Sequence, residues 1–184
     1  MKKKVISTEK VLKPKINNIK LTKEVLVTDE NKKKIKMYSI VERPLTLFLN
    51  EQEIVTMMTI CDYPKYLAIG YLLNQNMLKK NDKITSVDYD EEISTVVVRT
   101  KIKTNYEEKL KKKTLTSGCA QGTVFGDIME EFKEIKLSKT AKIKASWMIK
   151  LLKEINTTPS LYLKARAIHG CVLCKKDKVK VYME

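Results

Sequence analysis

Apolar positions in this chain fall into short alternating runs broken by polar clusters, with two longer stretches of helical spacing. In "EVLVTDENKKKIKMYSIV" two apolar runs flank the polar "DENKKK", a pattern that predicts a β-hairpin. "PLTLFLNEQEIVTMMTI" repeats the form with "NEQ" as its turn, and the period of two puts Leu45, Leu47 and Leu49 on one face. The next stretch, "CDYPKYLAIGYLLNQNML", changes period and predicts a helix. Asp62 is placed to cap it and Pro64 suits the first turn, where a missing N–H costs nothing. Leu67, Ile69, Gly70, Tyr71, Leu73 and Leu78 form its apolar face. Glycine is unfavourable inside a helix, so close packing against a strand is the expected reason for Gly70.

"DKITSVDYD" and "ISTVVVRTKIK" predict two further strands, the second alternating through Val96 and Val98. The charged "NYEEKLKKK" divides the chain into expected domains at 21–112 and 113–184, with residues 1–20 a mobile segment or an outer strand. A short helix is expected over 126–132. In "SWMIKLLKEI" the helical spacing marks Trp147, Met148, Leu151, Leu152 and Ile155 as the buried side. "LYLKARAIHGCVLC" and "VKVYME" are expected to pair as strands around "KKDK". A sheet ending at Glu184 needs a neighbour or leaves an open edge.

Composition narrows the class. Apolar residues make up 43% of 184, enough to bury a core, and 37 basic against 22 acidic side chains give a net charge of +15. The lysines are dispersed, which suits an anionic ligand or acidic partner better than a nucleic acid, whose binding favours a localised patch with aromatics. No run approaches the roughly 18 apolar residues of a membrane span, and "MKKK" is not followed by a signal-peptide core. The expectation is a cytoplasmic protein with reduced thiols, contacting neither membrane nor nucleic acid.

The chemistry concentrates in "TSGCAQGTVFGD", which holds three of the five glycines and Cys119. Gly118 and Gly122 permit backbone conformations that let several N–H groups converge, and Lys111, Lys112 and Lys113 lie just upstream. Both effects favour a thiolate, so Cys119 is the candidate nucleophile. Cys171 and Cys174 form a CxxC within an expected strand, on opposite faces, where core packing is the simplest role. Zinc on His169 and Cys171 lacks a second ligand cluster. Cys61 suits an apolar boundary. His169, the sole histidine, is either structural or a proton carrier or ligand contact.

The same residues carry a family resemblance. Glu42, Pro44, Asn50, the "VTMM" of residues 55–58, the "LAIG" of 67–70 and Leu72–Leu73 occur in the order found in the FdhD/NarQ family of formate dehydrogenase accessory sulfurtransferases. "SGCAQGTVF" is similar to that family's single-cysteine loop, with Ala120 in place of a glycine. Two departures stand out. Ala165, Arg166 and Ala167 replace a threonine–glycine–glycine group before His169, and family members continue beyond the equivalent of Glu184 into "DVGRHNA".

The resemblance implies an α/β fold, with a small N-terminal α/β domain and an incomplete three-layer α/β/α domain of cytidine-deaminase-like architecture. It implies that Cys119 carries persulfide sulfur from a cysteine desulfurase to the molybdenum (or tungsten) guanine dinucleotide cofactor for formate dehydrogenase. Gly118, Gln121, Gly122, Lys111, Lys112, Lys113 and His169 would contact that cofactor. A homodimer and no structural metal are also implied. Two alternatives remain at this point: a non-catalytic cofactor- or partner-binding protein of the same fold, and a basic nucleic-acid-binding module.

Overall fold

In the computed structural model, residues 11–79, 81–101, 136 and 138–184 are described, together with the backbone of 113–115 and 123–125. The chain divides into two compact units, one of residues 42–139 and one combining 1–41 with 140–184.

The first unit is built on the alternation of Leu45, Leu47 and Leu49. These lie in β3 (Arg43–Leu49), which pairs antiparallel with β4 (Gln52–Thr59) through a turn at Asn50–Glu51. β3 also pairs in parallel with β6 (Thr95–Thr100), and β5 (Ile84–Asp90) closes the sheet in the order β4-β3-β6-β5. The parallel β3–β6 pair requires a crossover, and α1 (Pro64–Asn74) lies within it. Leu45, Leu47, Leu49, Ile54, Met57, Val96 and Val98 from the sheet pack with Ala68 and Leu72 from α1 as one buried cluster. Each buried leucine contributes about 1.5–3 kcal/mol by leaving water.

Asn50 secures the hairpin turn to the end of β6. It adopts a left-handed backbone, φ 55°, which asparagine tolerates well. Its Oδ1 accepts from the Thr100 N–H at 2.9 Å, and its Nδ2 donates to Thr100 Oγ1 at 3.2 Å. The "N" of the family pattern is thus a clip between two strand ends.

Two expectations about α1 are corrected. The N-cap is Tyr63, not Asp62, and no side chain caps the helix. Left-handed backbone at both Cys61 and Tyr63 turns the chain sharply from β4 into the helix, leaving Asp62 too early to cap. Pro64 does open the first turn. At Gly70 a Cβ would meet no neighbouring heavy atom within 4 Å, so close packing does not explain the glycine. The helix rests on the core through Ala68 and Leu72 instead, while Leu73 is exposed.

In the second unit the expected hairpin forms as β1 (Thr22–Thr28) with β2 (Lys34–Ile40). Asp29 shapes the turn, its Oδ1 accepting from the N–H groups of Asn31 and Lys33. α2 (Ala145–Thr157) covers the expected helix, but its apolar side is not uniformly buried. Leu151 is buried, whereas Met148 and Leu152 are about half exposed, at 49% and 56%. Apolar spacing identified the helix without identifying what covers it.

The expected strand from Leu161 is a helix at its start. α3 (Leu161–Ala165) is capped by Ser160, whose Oγ accepts from the Leu163 N–H at 3.1 Å. Leu161 and Ala165, four residues apart, are its buried positions, so the spacing suits a helix as well as the alternation suited a strand. β9 (Cys171–Lys175) and β10 (Lys178–Met183) pair antiparallel around Lys176–Asp177 as expected. Leu12 makes an isolated parallel bridge to Val181, and the Tyr182 N–H donates to the Leu12 carbonyl at 2.9 Å.

Candidate functional site

Two short strands frame the cysteine segment. β7 (Lys113–Leu115) pairs antiparallel with β8 (Thr123–Phe125), with Lys113 opposite Phe125 and Leu115 opposite Thr123. Leu115 and Thr123 are thus opposite each other, and in the sequence Cys119 is the middle one of the seven residues between them. Cys119, Gly118, Gln121, Gly122, Lys111 and Lys112 lie outside the described residues, as does the expected helix over 126–132. Lys113 is placed by its backbone as the first residue of β7.

His169 is exposed and lies in the bend between α3 and β9, in the other compact unit from Lys113. The bend begins at Arg166, the α3 C-cap, which takes the left-handed conformation with φ 63°. Gly170 ends it, and a Cβ there would lie 3.2 Å from Tyr182 Cε2. The Arg166 guanidinium sits 5.7 Å from the Tyr162 ring centre, and Lys164 Nζ sits 4.4 Å from that of Tyr38. Cation–π contacts thus hold the side chains of Lys164 and Arg166, five and three residues before His169 in sequence.

What anchors this bend was not apparent in the sequence. Glu184 accepts from the backbone N–H groups of Leu161 at 2.6 Å and Tyr162 at 3.1 Å, and from the Tyr182 hydroxyl at 2.7 Å. Burial raises the Tyr182 pKa, and its hydrogen bond to Glu184 adds to the rise, so the hydroxyl remains a proton donor. The advance signals were the place of Glu184 in the family pattern and a tyrosine two residues before it.

The other thiols differ in character. Cys61 is half-buried against the core of its unit. Burial pushes its thiol pKa up, while the Arg43 guanidinium and a hydrogen bond with Tyr89 oppose the rise. That environment suits the boundary role expected for it. Cys171 is exposed and Cys174 intermediate, so core packing does not describe Cys171. A two-stranded hairpin leaves one face of β9 to solvent, which is the reason for the difference. Among the described residues, no group of three or more His, Cys, Asp or Glu side chains is arranged to hold a metal ion. Also among them, no helix is long and apolar enough to cross a membrane.

An open groove at the β5–β6 turn, about 680 Å³ in volume, is lined by Asp88, Tyr89, Asp90, Glu91 and Glu92 among others. Its carboxylates repel an anionic guest, so this groove is a poor match for the anionic ligand expected from the sequence.

Comparison with known proteins extends the picture. The chain is 25% identical over 143 residues to the sulfur carrier protein FdhD of Bacillus pumilus, covering 75% of this chain and 53% of that protein. It is 25% identical over 149 residues to the protein of the same name from Wolinella succinogenes, covering 79% and 51%. The chain thus spans about half the length of these curated relatives. A crystal structure of a candidate formate dehydrogenase accessory protein from Desulfotalea psychrophila shares the fold, with a TM-score of 0.61 at 15% identity, covering 88% of this chain and 59% of that one. The FdhD/NarQ family model matches residues 40–184, a span that contains the four-stranded sheet, the cysteine segment and the histidine bend. The chain belongs to the FdhD/NarQ family.

Proposed function

We propose that this chain is a sulfur carrier, with Cys119 as the atom-bearing residue. The family match, which spans the cysteine segment, carries this proposal, and relatives named as sulfur carriers support it. The Cys119 thiolate attacks the outer sulfur of a persulfide on a cysteine desulfurase. The donor's S–S bond breaks, the donor cysteine leaves as thiolate, and Cys119 becomes a persulfide. The acceptor is the molybdenum (or tungsten) guanine dinucleotide cofactor destined for formate dehydrogenase, bound as a substrate. On delivery the Cys119 S–S bond breaks, two thiols supply two electrons and leave as a disulfide, Cys119 returns to the thiolate and the sulfur reaches the acceptor as sulfide.

The glycines flanking Cys119 allow the segment to serve two partners in turn, with β7 and β8 as the frame. Gly118, Gln121 and Gly122 would offer hydrogen-bonding groups to the cofactor, and Lys111, Lys112 and Lys113 would neutralise its anionic groups. His169 would add a ligand contact from the histidine bend. A homodimer, cytoplasmic location and a partial cytidine-deaminase-like second domain over 113–184 belong to the same proposal.

The test is mass spectrometry after incubation with a cysteine desulfurase and cysteine. An adduct of roughly +32 Da, lost on treatment with dithiothreitol and absent from Cys119→Ser, is expected. An unmodified wild-type chain, or an adduct that persists in the variant, would refute the role of Cys119.

A further inference from the structure

The 161–170 segment that carries His169 is fastened near both ends, by Tyr182 of β10 and by Glu184, which follows that strand. At its helical end, the Glu184 carboxylate occupies the two N–H groups that open α3, those of Leu161 and Tyr162. At its strand end, Gly170 lies against the Tyr182 ring, where even a methyl group would come within 3.2 Å. The two fasteners are joined, because the Tyr182 hydroxyl donates to Glu184 Oε1 at 2.7 Å. Ser160 completes the hold by accepting from the Leu163 N–H. A five-residue helix has little intrinsic stability, so its persistence depends on such tertiary contacts.

The side chains held in this way are exposed and basic. Lys164, Arg166 and His169 face solvent, while the residues that fix their backbone are buried or half-buried: Ser160, Leu161, Ala165, Tyr182 and Glu184. A rigid internal support beneath an exposed cationic bend is the arrangement that preorganised anion recognition requires. We propose that Tyr182 and Glu184 are positioning residues that hold the 161–170 segment so that Arg166 and His169 present to an anionic ligand. This rests on His169 being a ligand contact, as proposed above. Tyr182 and Glu184 touch neither sulfur nor ligand in this scheme and act through the backbone they hold.

The sole histidine makes the test specific, since one labelled imidazole gives one set of magnetic resonance signals. Guanosine diphosphate alone is the probe, observed through the His169 signals, with amide hydrogen exchange at Leu161 and Tyr162 measured in parallel. In the wild type the diphosphate shifts the His169 signals. In Glu184→Ala, exchange at both amides rises about 10-fold or more, the loss expected for hydrogen bonds to a charged acceptor. Diphosphate affinity, read from His169, falls at least several-fold. Glu184→Gln keeps an oxygen acceptor and restores much of both effects, and Tyr182→Phe, which keeps the ring against Gly170, lies between. Unchanged exchange and unchanged diphosphate response in both Glu184→Ala and Tyr182→Phe would overturn the positioning role. A wild-type His169 that ignores the diphosphate would instead overturn the ligand-contact reading, and the exchange data would still decide whether the clamp exists.

Discussion

At the scale of single residues, Cys61 and Cys171 are separated by environment rather than by neighbours in sequence. Cys61 is half-buried with its pKa raised by burial, so less of it is thiolate at neutral pH, whereas Cys171 is exposed. Iodoacetamide labelling at pH 7.5, followed by peptide mass spectrometry, is expected to modify Cys171 several-fold faster than Cys61. Equal rates would mean that the Cys61 pocket opens freely. Asn50 shows how far sequence reasoning reaches at this scale. Its place in the family pattern was legible, but its bonds to Thr100, fifty residues away, required the strands to be brought together. The anchoring of α3 by Glu184 was equally hidden, because the Leu161 and Tyr162 N–H groups that it serves lie more than twenty residues earlier.

At the scale of elements, alternation identified the hairpins β1–β2 and β3–β4, the strands β5 and β6, and the pairing of β9 with β10. It failed over Leu161–Ala165, where a run too short to have a clear period was decided by its capping partners, Ser160 and Glu184. Gly70 is the other lesson. It lies inside α1 with open space where a Cβ would point, so Gly70→Ala meets no steric cost and removes backbone entropy from the unfolded chain. The substitution is expected to stabilise the protein by about 0.5–1 kcal/mol, measured as a higher urea midpoint at unchanged slope. A lower midpoint would point to a close neighbour at that position. Helical spacing also located α2 correctly, yet Met148 and Leu152 of its expected buried side are about half exposed, since period reports a stripe and not its cover.

At the scale of the whole molecule, a net charge of +15 acts on stability as well as on ligand choice. Mutual repulsion among dispersed lysines opposes compaction and is screened once the Debye length falls to about 10 Å near 0.1 M salt. Raising sodium chloride from about 20 to 200 mM, across that screening range, is therefore expected to increase the thermal midpoint by about 2 °C or more. No change in calorimetry would show that ion pairs such as Lys150–Asp177 and Lys36–Glu24 already offset the repulsion. The family, the sheet-forming runs of residues 43–100 and the singular position of Cys119 were all determined by the sequence itself. Each depends on local residue type, period or ordered motif, which a linear chain displays. Only the tertiary structure decided that Asn50 ties two strand ends, that Gly70 faces open space and that Tyr182 and Glu184 brace the histidine bend. Those facts depend on which distant groups meet when apolar faces are buried, and no local pattern in the chain encodes that meeting directly.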